Sequence, residues 1–192
     1  MLMTGTLTLK RCGPNPPSRK EHKMTSIREE LCRFIRLNEQ HQWEQSCDAL
    51  DQLEHFGDDL ISGLIECLTD GHPDVRHQAV QLLGASRPRS DAAVPALIER
   101  LNDEDWLIVT SVILVLGGFG PLAAAAIPQI EPWLESPIEY LRLLAATTII
   151  KLDPNRTEFL PVIRAATMSD HPVVQSVAEE FCNESEVEET NE

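Results

Sequence analysis

Cys67, His72 and His77 place three side chains able to bind a soft metal within 11 residues. Zinc sites draw their ligands in closer pairs, roughly two to five residues apart, and complete a set of four. No fourth ligand stands at matching spacing. His72 therefore reads as a turn or cap residue, His77 as a polar residue on a helix, and no metal is expected. A second candidate is Gly117-Gly118-Phe119-Gly120, rich enough in glycine to ask whether it cradles a phosphate. A phosphate loop follows a strand and ends in Lys-Ser/Thr, whereas this one follows an apolar helical stretch and lacks both residues. No nucleophile with a positioned base and no convergent carboxylate pair is readable. Neither a catalytic residue nor a cofactor is assigned.

Composition narrows the classes that remain. The 192 residues carry a formal charge of −15, which argues against a nucleic-acid backbone as the main partner, because phosphate binding needs clustered Lys and Arg. Residues 1–24 hold five basic groups (Lys10, Arg11, Arg19, Lys20, Lys23) against Glu21 alone, and Gly13 to Lys23 is rich in proline and almost free of apolar residues. Such a segment cannot bury enough surface to offset its chain entropy, so a basic, disordered leader is expected over 1–24. It lacks the apolar core of a secretory signal. Five scattered cysteines, odd in number and without a CxxC pair, fit a reducing, cytoplasmic setting. Met24 precedes Thr25-Ser26, and Ser26 to Glu29 has capping-box spacing, so folding is expected to begin there.

The elements that would position any site are helical. Ile27, Leu31, Phe34 and Ile35, then Trp43, Cys47, Leu50 and Leu53, predict an amphipathic helix pair over 25–56. Beyond it the chain repeats with a period of 33. Ile61, Val94, Ile127 and Leu160 form one column; Leu64, Leu97, Ile130 and Ile163 form another; Val75, Ile108, Leu141 and Val174 form a third. Ala79, Val112, Ala145 and Ala178 mark a close helix approach. Pro95, Pro128 and Pro161 fall early in the first helix of their copies. Asp70, Asp103, Ser136 and Ser169 are expected as N-caps of the second helices, with a capping box at Ser136-Pro-Ile-Glu139, and Gly84 and Gly117 as C-caps.

That period also divides the most apolar stretch. From Trp106 to Ile130 there are 25 residues without a charged side chain, long enough to raise a membrane-spanning helix. Gly117 to Pro121 falls at an inter-repeat turn, which leaves two helices too short to span, and no membrane contact is expected. After Phe181 the sequence is acidic with a single aliphatic residue, and a solvated, disordered tail is expected over 183–192.

Helix pairs that cannot bury their apolar faces alone stack on one another, so the fold class is all-α, an α-solenoid of helix-turn-helix repeats. The stretches DGHPDVRHQAVQLLG at Asp70–Gly84 and DEDWLIVTSVILVLGGFG at Asp103–Gly120 resemble HEAT-like repeats, notably the short variety of phycobilisome-lyase-like proteins. The resemblance covers 57–182 as four copies, about 57–89, 90–122, 123–155 and 156–182, behind a capping helix pair at 25–56. Its Val-Arg pair stands at Val75-Arg76 and Leu141-Arg142, but is Ile108-Val109 and Val174-Gln175 in the other copies. The Thr-Pro-Leu-His signature of the ankyrin repeat, which shares the period, is absent.

The architecture implies a non-catalytic protein-binding scaffold, with another protein as partner on the concave face lined by the second helices. Opposite the stripe of Val75, Ala79 and Leu83, helical geometry places His77, Val80 and Gln81. Their counterparts are Thr110, Ile113 and Leu114, then Leu143, Ala146 and Thr147, then Ser176, Glu179 and Glu180. His77, Gln81, Trp106, Thr110, Ile113, Leu114, Leu143 and Thr147 are accordingly the expected contact residues. Trp106, Ile113 and Leu114 either form an exposed apolar strip or are enclosed by the stack, and a homo-oligomer could use the same strip. Two other readings follow from the resemblance. One is a lyase-like enzyme or enzyme subunit related to bilin lyases. The other is a HEAT-like DNA glycosylase with Trp43, Trp106 and Trp133 around an extruded base. Residues 57–186 hold eight Arg and Lys against twenty Asp and Glu, the wrong sign for a duplex.

Overall fold

The computed structural model describes residues 27–57, 59–87 and 90–189, with 184–189 described by their backbone alone. The leader over 1–24, Met24 and the Ser26 end of the expected capping box lie outside these residues. Every regular element within them is helical: α1 (Ile27–Glu39), α2 (Trp43–Glu54), α3 (Asp59–Cys67), α4 (Pro73–Ala85), α5 (Val94–Glu99), α6 (Trp106–Phe119), α7 (Ile127–Ile130), α8 (Glu139–Leu152), α9 (Leu160–Ala166) and α10 (Pro172–Glu189). The fold is an all-α solenoid of helix pairs. It divides between Leu97 and Ile98 into two compact units.

Within each unit most of the repeat columns become the core, whereas Ile61, Ile127 and Leu160 of the first column are half-buried. Leu64, Leu97, Ile130 and Ile163 are fully enclosed, as are Ala79, Val112, Ala145 and Ala178. Val75, Ile108, Leu141 and Val174 are buried as well. In the first unit α1 packs on α2, α3 and α4, with Leu31, Ala49 and Leu53 inside. Trp43, expected on the apolar face of α2, instead opens that helix in solvent against the His41 ring, 5.5 Å between centroids.

The column at 70, 103 and 136 acts two residues ahead of the N-cap, and 169 makes the same turn. Asp70 Oδ1 accepts the His72 N–H at 2.9 Å, Asp103 Oδ1 accepts that of Asp105 at 3.0 Å, and Ser136 Oγ and Ser169 Oγ accept those of Ile138 and His171 at 3.2 Å. Each is a side-chain turn two residues long, which Asp and Ser form as readily as a cap. The capping residues are His72, Asp105 and Ile138; of these only Asp105 caps with its side chain, to the Leu107 N–H at 2.9 Å. Pro137 consequently lies ahead of α8, and the capping box does not form there. Where the repeat keeps its arginine, the guanidinium ties the same turn. Arg76 Nη1 donates to the Asp70 carbonyl at 2.9 Å and Arg142 Nη1 to the Ser136 carbonyl at 2.7 Å.

Neither expected C-cap glycine ends a helix. α4 runs past Gly84 to Ala85, and α6 runs past Gly117 to Phe119. Gly117 serves close packing instead, since a β-carbon there would sit 3.4 Å from Thr148 Oγ1 on α8. Gly120 terminates α6 with φ 57° and ψ −142°, a conformation open to glycine. The apolar stretch from Trp106 to Glu135 has the length and composition to cross a membrane, but that break divides it. α6 alone reaches about 21 Å at 1.5 Å per residue, short of a hydrocarbon core. After it the chain runs in 3₁₀ turns on both sides of α7, where Pro128 and Pro132 remove backbone donors. At the other end α10 continues through 183–189, residues expected to be tail. Glu is a good helix former, and no Gly or Pro interrupts the segment.

Candidate functional site

The groups that could do chemistry do not converge. Cys67 is buried and its thiol is pushed up to about 11 by desolvation, which makes it a poor nucleophile or ligand near neutrality. His72 is exposed, with Nδ1 3.4 Å from Asp74 Oδ2, and His77 Nε2 lies 3.3 Å from Gln81 Nε2. Among the described residues no group of three or more His, Cys, Asp or Glu is placed to hold a metal ion.

Beside Cys67 lies a groove of about 320 Å³ lined by Ile27, Arg28, Gly63, Glu66, Cys67 and Asp70. An ion pair closes it: Arg28 Nε donates to Asp70 Oδ2, and Nη2 to Oδ1 at 3.2 Å. The Arg28 hydrogen bond holds the Asp70 carboxyl below the ordinary carboxylate range, helped by the His72 backbone N–H. Paired in this way, the two charges join α1 to the turn before α4.

The expected contact residues separate into two sets. In the first unit His77 is half-buried and Gln81 exposed. On α6, Trp106 is 66 % exposed and Leu114 53 %, whereas Ile113 is 1 % exposed and Thr110 is buried. On α8 both Leu143 and Thr147 are buried. Thr110, Ile113, Leu143 and Thr147 thus cannot meet a partner on this surface. Val80 and Ala146, assigned to the same face, are enclosed too. A second helix is covered on more than its intra-pair side, as the packing of α6 against α8 shows. The two threonines look polar but spend their hydroxyls on their own helix. Thr110 Oγ1 donates to the Trp106 and Leu107 carbonyls at 3.1 and 2.9 Å, and Thr147 Oγ1 to those of Leu143 and Leu144 at 3.0 and 3.1 Å.

Two exposed apolar residues were missed by the face geometry. Leu107 is 45 % exposed, and Ile138, in the turn before α8, is 55 % exposed. Leu107 and Leu114 are seven residues apart, so they stand on one side of α6 about 10 Å from each other. A seven-residue spacing was the available signal. Trp106 adjoins them in the first turn. Trp133, by contrast, is half-buried in the 3₁₀ turn after α7.

Two comparisons with known proteins bear on this arrangement. Residues 61–150 match the family model for HEAT repeats. No curated protein matches the chain at a significant level.

Proposed function

Residues 61–150 are HEAT repeats, and from that premise we propose that the protein is a non-catalytic interaction module that binds another protein on the solvent-facing side of α6. HEAT repeats in general mediate protein–protein interaction. The observation that carries the reading is the exposure of Trp106 and Leu114, with Leu107 beside them, the first two at positions where the repeat itself does not ask for apolar residues. Trp106 stands where other copies have Pro73, Glu139 and Pro172, and Leu114 where they have Gln81, Thr147 and Glu180. Contiguous exposed apolar side chains bordered by charge are a common mark of a binding surface. The contact set for this face contracts to Trp106, Leu107 and Leu114, since the neighbouring Thr110 and Ile113 are inside.

The test is affinity purification from native lysate with wild-type and Leu114→Glu protein, both verified as folded by circular dichroism. Loss of a co-purifying protein from the variant is expected. An unchanged set with both proteins would refute binding through this face.

A further inference from the structure

We infer that the occupant of the α6 surface is a single helix of the partner protein, laid along α6 with an uncharged seam of alternating large and small side chains against Leu107, Ser111, Leu114 and Gly118. The inference rests on the binding face proposed above and specifies the chemistry of its partner.

Its basis is the spacing of the residues on the outer side of α6. At about 100° per residue, Leu107, Ser111, Leu114 and Gly118 fall within roughly 60° of one another, four and three residues apart in alternation. That alternation is the spacing of a coiled-coil seam, where helix packs on helix. Leu107, Leu114 and Gly118 are exposed, and Ser111 is buried one turn from each leucine. Each leucine is thus followed along the seam by a position with little or no side chain, and Trp106 stands beside the first of them. A strand presents same-face side chains about 7 or 13 Å apart and seats only one of two leucines about 10 Å apart. Positions i and i+7 of a helix seat both.

Charge fixes the chemistry of that helix. No residue of α6 is charged, so a carboxylate or ammonium closed in against it would lose its water without gaining a counter-charge, and the seam of the partner is uncharged. Charge also decides against a second copy of this chain, since two molecules carrying −15 each repel one another. Area points the same way. The exposed parts of Trp106, Leu107 and Leu114 amount to on the order of 300 Å², against about 800 Å² per partner in a stable dimer. The strip from Leu107 to Gly118 is about 16 Å long, which three turns of one helix cover.

The experiment measures fluorescence anisotropy of two labelled synthetic peptides of about 20 residues, long enough to form a helix, titrated with the full chain. The first carries Leu and Ala in turn at four- and three-residue spacing, with Gln, Glu and Lys on its other side. The second has the same composition with every second residue apolar. The expected result is binding of the first about tenfold tighter than the second, the effect of one apolar anchor seated or lost. Gly118→Leu fills a small position at the surface and should weaken the first peptide several-fold with an unchanged circular dichroism melt; Leu107→Ala is the second variant and should weaken it too. Unchanged binding to both variants, or failure of the first peptide to bind wild type, overturns the helical seam, while the lysate comparison above tests the face separately. Equal binding of the two peptides, lost in Leu114→Glu, overturns the helix and leaves the binding face standing. Binding undiminished by Leu114→Glu overturns both. A dimer detected by light scattering and dissolved by Leu114→Glu overturns the choice of another protein over a second copy.

Discussion

Two adjacent residues of α6 provide the sharpest test of how this helix is oriented. Ile113 is 1 % exposed and Leu114 is 53 % exposed. Truncating a fully enclosed Ile to Ala removes its transfer energy and leaves a cavity that surrounding helices fill only in part, which puts Ile113→Ala at about 4 kcal/mol. For Leu114 just under half the side chain is hidden. Full burial of Leu is worth ~1.5–3 kcal/mol, so Leu114→Ala should cost roughly 1 kcal/mol. For a unit of this size the melting temperature should fall by at least 10 °C, roughly, in the first variant and by only a few degrees in the second. Glu separates them further. Leu114→Glu keeps a good helix former on the surface, whereas Ile113→Glu drives an unpaired carboxylate into the core at a cost of several kcal/mol, comparable with the whole stability of a domain. Circular dichroism melts and urea titrations read all four variants. If Ile113→Ala lowered stability no more than Leu114→Ala does, the assignment of Ile113 to the core and Leu114 to the surface would be wrong.

The two glycines near the end of α6 should respond to different degrees. Gly120→Ala must hold φ 57°, ψ −142° with a side chain and should cost about 1–3 kcal/mol in urea unfolding, even though the nearest atom, the Lys151 carbonyl oxygen, leaves room at 3.7 Å. Gly117→Ala meets Thr148 at the edge of ordinary contact and gains helix propensity, so its effect should stay within about 1 kcal/mol. Arg76→Met should destabilise by about 1–3 kcal/mol, because it strips the Asp70 carbonyl of a buried donor, and the same urea assay measures it. Asp70 and Glu158 have carboxyls lowered by their arginine partners, Arg28 and Arg156. A lowered folded value means the contribution is complete above the unfolded carboxyl value, near 4, and disappears as pH falls through the folded one. Stability should therefore drop below about pH 4, and Asp70→Asn should make that acid limb shallower.

The repeat core was legible in the sequence because it depends on one property, apolarity at fixed spacing. Ile130 and Ile163 are enclosed where their column requires it. Turn chemistry was half legible. Asp70, Asp103, Ser136 and Ser169 repeat visibly, but the same oxygen can accept from a turn N–H or from a helix N–H, and spacing alone does not choose between them. The candidate face was the least legible part. Treating Val75, Ala79 and Leu83 as the buried stripe describes one helix pair and leaves out the neighbours. Gly117 against Thr148 shows where the next second helix lies, and that contact turns the supposed outer positions Ile113 and Ala146 into core. Thr110 and Thr147 added to the error, since a threonine bonded to its own backbone gives no outward sign of burial.

The same columns turn polar on the outward side of the fourth copy, and the binding surface proposed above lies elsewhere. Val80, Ile113 and Ala146 are enclosed, and their fourth counterpart is Glu179, which is exposed. Arg76 and Val109 are buried, and their fourth counterpart is Gln175, also exposed, whose Nε2 donates to Glu179 Oε1 at 3.0 Å. A further helix pair stacked in the same way would close over this carboxylate, and an unpaired charge taken out of water costs several kcal/mol. A polar outer face of this kind stays solvated without a neighbour. At Gln175 and Glu179 of α10 the sequence thus places polar residues where solvent reaches two stacking columns. On α6 it has done the reverse, placing Trp106 and Leu114 in solvent where the other copies carry proline or polar residues. Stacking gives no reason for apolar residues at the exposed positions of Trp106 and Leu114, and the partner contact proposed above supplies one.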